Sequence, residues 1–283
     1  MKTIVKAVIM SAACAAVLGL AGCGGSADKA TKSAAAAPQG KLMQQIKDKG
    51  VLVVGTASGF PPYEFIDTSK EGKEVTGIDI ALAQKVADKL GVKLKVQDMN
   101  FSALLSSIAA NKIDIAIAGI DPTEERKKAV DFSDIYLPGK QTILIRKEDA
   151  GKFKTLDDFN AVTMGAQKST IQETLVKKEI PKAKAVSLDK VPDLLLELKN
   201  HKVDGVAVQN IVAAQYLLFN PDIIDSGIAF KDGKVNSAVA VPKGNEDLIK
   251  VINEAIKENT DNGNFDKWVK EYSQKVVDNA KAK

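Results

Sequence analysis

The strongest constraint in this sequence is an alternation of strand-like and helical stretches that starts at Leu42 and runs through the chain twice. VLVVGT (51–56) is apolar and β-branched, the pattern of a buried strand. IDIALAQKVADKLG (78–91) puts Ile78, Leu82, Val86 and Leu90 at helical spacing and stops at Gly91. VKLKV (92–96) alternates as a strand, FSALLSSIAANK is helical, IDIAIAG (113–119) is a strand, TEERKKAVDF is helical and QTILIRK (141–147) is a strand. The second run reads VTMGAQ strand, TIQETLVKK helix, AKAVSL strand, VPDLLLELKNH helix, VDGVAVQ strand and IVAAQYLLF helix. NSAVAVPK and two further helical stretches close the chain. Alternating strands and helices imply parallel sheets. Two such runs predict an α/β chain of two lobes with a cleft between them, and clefts between domains are preferred sites for small molecules.

The first 40 residues stand apart. MKTIVK carries two lysines and no acid, and an uncharged apolar stretch follows, as in an export signal. The strongly apolar part ends near Leu20, short of the roughly 20 residues a membrane span needs. Leu20-Ala-Gly-Cys23 resembles a bacterial lipobox. That resemblance implies a lipoprotein signal peptide over 1–22, cleavage before Cys23, and lipidation of Cys23. Cys14 would leave with the signal, so the mature chain has no thiol for a disulfide or a cysteine metal site. Residues 23–40 are small and polar, a flexible tether after the lipidated cysteine. Loss of Lys2 and Lys6 takes the net charge from +4 to +2. No basic stripe stands apart from matching acids, which argues against nucleic acid as a partner.

Several chemistries lack their motifs. There is no G-x-x-x-x-G-K-[ST] phosphate loop, and GTASG (55–59) is not a G-x-S-x-G nucleophile elbow. The one histidine, His201, sits in the turn-like LKNHKVDG. A lone histidine without a spare cysteine leaves little for a zinc site or a Ser-His-Asp triad. No cofactor, metal or catalytic residue is expected, and binding is favoured over catalysis.

Two stretches are suited to hold an anion at a helix start. In AGIDPTEERKK, Asp121 can be an N-cap with Pro122 at N1 and Glu124 at N3. Arg126 lies one turn in and offers a bidentate grip on a carboxylate. In KSTIQE (168–173), Ser169 with Gln172 or Thr170 with Glu173 makes a second capping box. Free N–H groups and the helix dipole favour an anion at each start. GFPPYEF (59–65) follows the first strand and presents Phe60, Tyr63 and Phe65 on a loop stiffened by two prolines. These rings either sandwich a ligand or fill the core.

VVGTASGFPPYEF, GIDIALAQKVADKLGVKLKV, NFSALLSSIAANKIDIAIAGIDPTEERKKAVDFSD, MGAQKSTIQETL, VDGVAVQNIVAAQYL and AVAVPKGNEDLIKVINEAI occur in this order. Together they resemble the polar amino acid-binding proteins of ABC importers, solute-binding family 3. The likeness covers Lys41 to about Trp268, and T-x-E-R-x-x-x-[VI]-D-F-S is its most specific mark. It implies a two-lobed type II periplasmic binding fold with two hinge crossovers, near 137–142 and 233–237. Lobe 1 would comprise 41–138 and 236–283, and lobe 2 would comprise 139–235. Arg126 then matches the clamp for the ligand α-carboxylate. Phe60 and Phe101 match positions that cover the ligand side chain, and Ala118 and Gly119 match backbone positions that meet the α-amino group. Thr170, Ile171 and Gln172 match the second-lobe helix start that closes on the carboxylate.

Three positions depart from the family pattern. Asp121 stands where Ser or Thr is usual, Ala57 where members for cationic side chains often have Asp, and Gln209 where most members have an Asp for the α-ammonium. Asp121 either supplies that missing charge or stays a pure N-cap. Ala57 favours a neutral or polar amino acid over a cationic one. The resemblance implies a monomeric, lipid-anchored receptor on the outer face of the cytoplasmic membrane, delivering a small amino acid to an ABC permease and its ATPase. The competing readings are a cyclohexadienyl- or prephenate-type dehydratase on the same fold, with Asp121 the available acid, and an amino acid sensor without transport.

Overall fold

The computed structural model describes residues 41–69 and 73–281. The expected signal peptide, Cys23 and the tether lie outside the described residues. Helix α1 (Leu42–Lys49) leads into strand β1 (Val51–Thr56), and β2 (Phe65–Asp67) and β3 (Glu74–Thr76) pair as a small antiparallel ribbon. Then come α2 (Ile78–Leu90), β4 (Lys93–Asp98), α3 (Leu104–Ala109), β5 (Ile115–Ile120), α4 (Glu124–Lys127), β6 (Val130–Phe132) and β7 (Leu137–Arg146). The second run is β8 (Thr163–Gln167), α5 (Ile171–Glu179), β9 (Lys184–Leu188), α6 (Val191–Lys199), β10 (Gly205–Gln209), α7 (Asn210–Leu217) and β11 (Ile223–Asp225). The chain returns through β12 (Lys234–Pro242) and ends in α8 (Glu246–Asp261) and α9 (Asn264–Lys281). Among the described residues no helix is long and apolar enough to cross a membrane.

The strands follow the order β4-β1-β5-β12-β7-β10-β8-β9. β4, β1 and β5 are parallel, and so are β9, β8 and β10. β12 runs antiparallel to β5, and β7 antiparallel to β10. These two long strands pair with each other from Leu137↔Ser237 to Lys140↔Lys234, and that pairing joins the two half-sheets. The result is the two-lobed α/β architecture expected from the doubled alternation. Strands β1, β5, β8 and β10 point their carboxyl ends at the cleft, where open α/β sheets bind ligands.

The helical spacing of α2 does what it predicts. Ile78, Leu82, Val86 and Leu90 are all buried, each contributing about 1.5–3 kcal/mol by removal from water. Gly91 ends the helix in the left-handed region and donates to the Ala87 and Asp88 carbonyls. TEERKKAVDF departs from its expected helix. Its helical part is four residues long, and Val130–Phe132 forms β6, pairing with Val241 and its neighbours on β12. Edge pairing in the sheet outweighs a weak helical preference there. FSALLSSIAANK begins as a 3₁₀ turn over Phe101–Ala103 before α3.

Candidate ligand-binding cleft

The loop after β1 folds back on itself. Gly59 and Phe60 N–H groups donate to the Glu64 carbonyl at 3.1 and 2.9 Å, and Tyr63 and Glu64 N–H groups donate to the Phe60 carbonyl at 3.0 and 3.2 Å. Tyr63 and Phe65 are buried, so those two rings belong to the core. Phe60 lies over Gly119 at the end of β5. Gly119 has φ +54, and a Cβ there would sit 3.2 Å from the Phe60 ring, so glycine serves both the backbone turn and the close approach.

Beneath Phe60 lies a buried carboxyl pair. Asp79, in the first turn of α2, accepts from the Gly119 N–H at 2.8 Å and from the Tyr136 hydroxyl at 2.8 Å. Glu64 is 1 % exposed, and its Oε2 closes no hydrogen bond among the described residues. Burial pushes the Glu64 carboxyl well above its usual range, and the charges of Asp79 and Asp98 push the same way. Burial raises Asp79 to about 6, against the Tyr136, Glu64 and Gly119 hydrogen bonds that lower it. Ionised carboxylates only accept, so the two groups bond to each other only when one carries a proton.

Arg126 is the third residue of α4. Its guanidinium donates to the Asp121 carbonyl and, across the cleft, to the Ser169 carbonyl, both at 2.9 Å. Its Cζ lies 5.2 Å from the centre of the Phe101 ring. The expected Asp121 capping box does not form. Thr123 is the N-cap and accepts from the Arg126 N–H, while the Asp121 carboxylate accepts from Asn236 N–H on β12 at 2.9 Å. The cap falls two residues further along, at Thr123, which takes the extended φ, ψ a cap needs. Asp121 is therefore tied to a crossing strand. Burial raises its pKa to about 6, opposed by the Asn236 N–H and by Arg126.

The second helix start forms with Thr170 as its cap. Thr170 Oγ1 accepts from Glu173 N–H at 3.4 Å and donates to the Gln167 carbonyl at 2.6 Å. Of the two capping boxes open in the sequence, only the Thr170 half of the Thr170–Glu173 pair forms, because the Glu173 carboxylate turns to Ser169 N–H instead. Ser169 holds φ +64, and Glu173 Oε2 accepts its N–H at 2.6 Å. That left-handed residue turns the Ser169 carbonyl to Arg126. Ile171 and Gln172 begin α5, where N–H groups have no acceptor inside the helix.

These groups converge. Phe60, Phe101, Ala118, Gly119, Asp121 and Arg126 line one enclosure from the first run, and Thr170, Ile171 and Gln172 from the second. The space between their atoms is about 280 Å³, and little of it is wide enough for a water molecule. The lobes are closed on each other. Tyr216 Oη donates to the Gly59 carbonyl at 2.8 Å, and Asn100 Nδ2 to Asp189 at 3.1 Å. Larger hollows lie on the outer surface, such as one beside the Lys243–Asp131 ion pair.

Gln209 stands outside the lining. It is buried across from Gln141 on β7, and both of its amide atoms are without hydrogen bonds among the described residues. Ala57 is also absent from the lining, packed with Leu104, Ile108 and Ala116. Sequence reasoning missed Glu64 and Gln167, which both line the enclosure. The available signal for Glu64 was an acid set between two core aromatics in PPYEF.

The sequence model of the bacterial extracellular solute-binding proteins, family 3, matches residues 52–275. The arginine-binding extracellular protein ArtP of Bacillus subtilis is 35% identical over 229 residues, covering 79% of this chain and 86% of that protein. The L-cystine-binding protein TcyJ of Escherichia coli is 30% identical over 232 residues, covering 80% and 85%. An amino acid ABC transporter substrate-binding protein from Streptococcus pneumoniae, solved with bound L-arginine, superposes with a TM-score of 0.78 at 36% identity. That match covers 82% of this chain and 98% of the other. These relatives are binding proteins, which decides against the dehydratase reading. With a match over most of its length and a cleft of this construction, the chain belongs to family 3 of the bacterial extracellular solute-binding proteins.

Proposed function

We propose that this chain captures an amino acid with a cationic side chain in the cleft and delivers it to an ABC permease and its ATPase. The observation that carries the side-chain class is Glu64, a buried carboxyl in the lining whose Oε2 closes no hydrogen bond among the described residues. Its charged neighbours Asp79 and Asp98 are acids, so an ionised Glu64 beside a ligand is costly unless the ligand brings a positive charge. Phe60 and Phe101 flank that charge and add cation–π attraction. Ala57 had favoured a neutral or polar side chain, but it packs in the core away from the lining. The arginine-binding relatives support the cationic class.

At the other end, Arg126 grips the α-carboxylate together with the N–H groups that open α5. Asp121 and the backbone of Ala118 and Gly119 receive the α-ammonium, with Asp121 supplying the charge that Gln209 lacks. Residues 41–138 with 236–283 form one lobe and 139–235 the other, opening and closing about the β7–β12 crossing. Cys23, lipidated after removal of residues 1–22, holds the monomeric receptor on the outer face of the cytoplasmic membrane through the 23–40 tether. A calorimetric panel of amino acids tests the reading. Arginine or lysine should bind tightest and glutamine at least tenfold more weakly. The reverse order restores the neutral ligand.

A further inference from the structure

Two carboxyls lie against each other at the wall of the cleft, Glu64 in the lining and Asp79 behind it, and the charged and polar groups around them come from several elements. Asp79 stands on α2, Asp98 at the end of β4 and Tyr216 on α7. Tyr63 belongs to the same loop as Glu64, and Tyr136 precedes β7. Each group that acts on Glu64 is an acid or its own burial, and none is a cation. Arg126, the cation of the lining, faces Asp121 and Glu125. Asp79 has both oxygens engaged as acceptors, by Gly119 N–H and Tyr136 Oη–H. The Glu64–Asp79 contact has no donor unless one of the two carboxyls is protonated.

We propose that Glu64 and Asp79 hold one proton between them in the ligand-free protein, and that a cationic side chain entering the cleft displaces it to solvent. The inference rests on the cationic reading of the site. The incoming charge takes the place of the proton as the counterion of Glu64, so the net charge buried there does not change. A neutral side chain leaves the proton where it is. The dyad thus discriminates by charge and makes capture of a basic amino acid favour higher pH. Asp79 is a positioning residue here: it acts through Glu64 and through Gly119, whose backbone it fixes.

Titration calorimetry of arginine and lysine at pH 7.5, in two buffers of different ionisation enthalpy, counts the protons. At that pH Asp121, at about 6, is already largely ionised and contributes little. A release approaching one proton per ligand is expected, with affinity rising about tenfold per pH unit between pH 6.5 and 7.5. Glu64→Gln should abolish the release. Asp79→Asn keeps an acceptor for Gly119 N–H and gives Tyr136 Oη a donor, so the fold is retained, while the release falls below half. Tight arginine binding with a buffer-independent enthalpy and a flat pH profile would overturn the dyad and leave the cationic reading standing. Absence of binding by either basic amino acid removes both.

Discussion

Arg126 has five N–H groups, and two of them meet the Asp121 and Ser169 carbonyls. Three remain for a carboxylate. Arg126→Ala removes charge-assisted hydrogen bonds of about 1.5–3 kcal/mol each, so arginine affinity should fall at least ~100-fold. The lost partners in the fold are two backbone carbonyls at the cleft, so the melting temperature should move only a few degrees. Unchanged affinity in a calorimetric titration would sink the clamp. Glu64→Gln separates charge from shape. Arginine should weaken ~10–100-fold, while glutamine is unaffected or improved; equal losses for both would show that Glu64 only supports the loop. Arg126 was legible in the sequence because T-x-E-R follows a buried strand. Glu64 was not, because an acid in PPYEF reads as a surface turn until Tyr63 and Phe65 are both known to face the core. The placement of Ala57 was not legible either: its position in the chain says nothing of its packing beside Leu104.

At the scale of elements, periodicity carried the reading where packing and period agree, as in α2. It failed where pairing partners far along the chain decide. β6 exists because β12 returns beside it, more than 100 residues later, and no local pattern in AVDF announces that. The same return explains why Asp121 binds Asn236 N–H instead of capping α4. The α5 start is local and was legible as one of two pairings. Thr170 is 6 % exposed and serves as both acceptor and donor in its last turn of loop. Thr170→Val keeps the shape and loses both roles. It should cost about 1 kcal/mol, read as a drop of roughly 2–4 °C in thermal denaturation. No loss of stability would mean that the cap is idle and that Glu173, through Ser169 N–H, holds the turn alone.

Over the whole molecule, the cleft gathers carboxyls whose ionisation burial opposes. Asp79 and Asp121 are raised to about 6 by burial, and Glu64 is raised as well. In the unfolded chain such groups titrate near 4. Groups raised on folding stabilise fully below the unfolded value and lose that contribution as pH climbs through the folded value. Asp67, Asp131 and Glu173 are lowered instead, so their contribution is present above about pH 4 and disappears only in acid. Between pH 5 and 7.5 the raised set alone is changing. The ligand-free protein should therefore melt several degrees lower at pH 7.5 than at pH 5, Asp79 and Asp121 each accounting for on the order of 1 kcal/mol and Glu64 acting in the same direction. A bound cation opposes that slope, because it stabilises by an amount that grows with its affinity. Melting curves with and without saturating arginine should then diverge as pH rises. Parallel curves would mean that the carboxyls at the cleft are indifferent to what it holds.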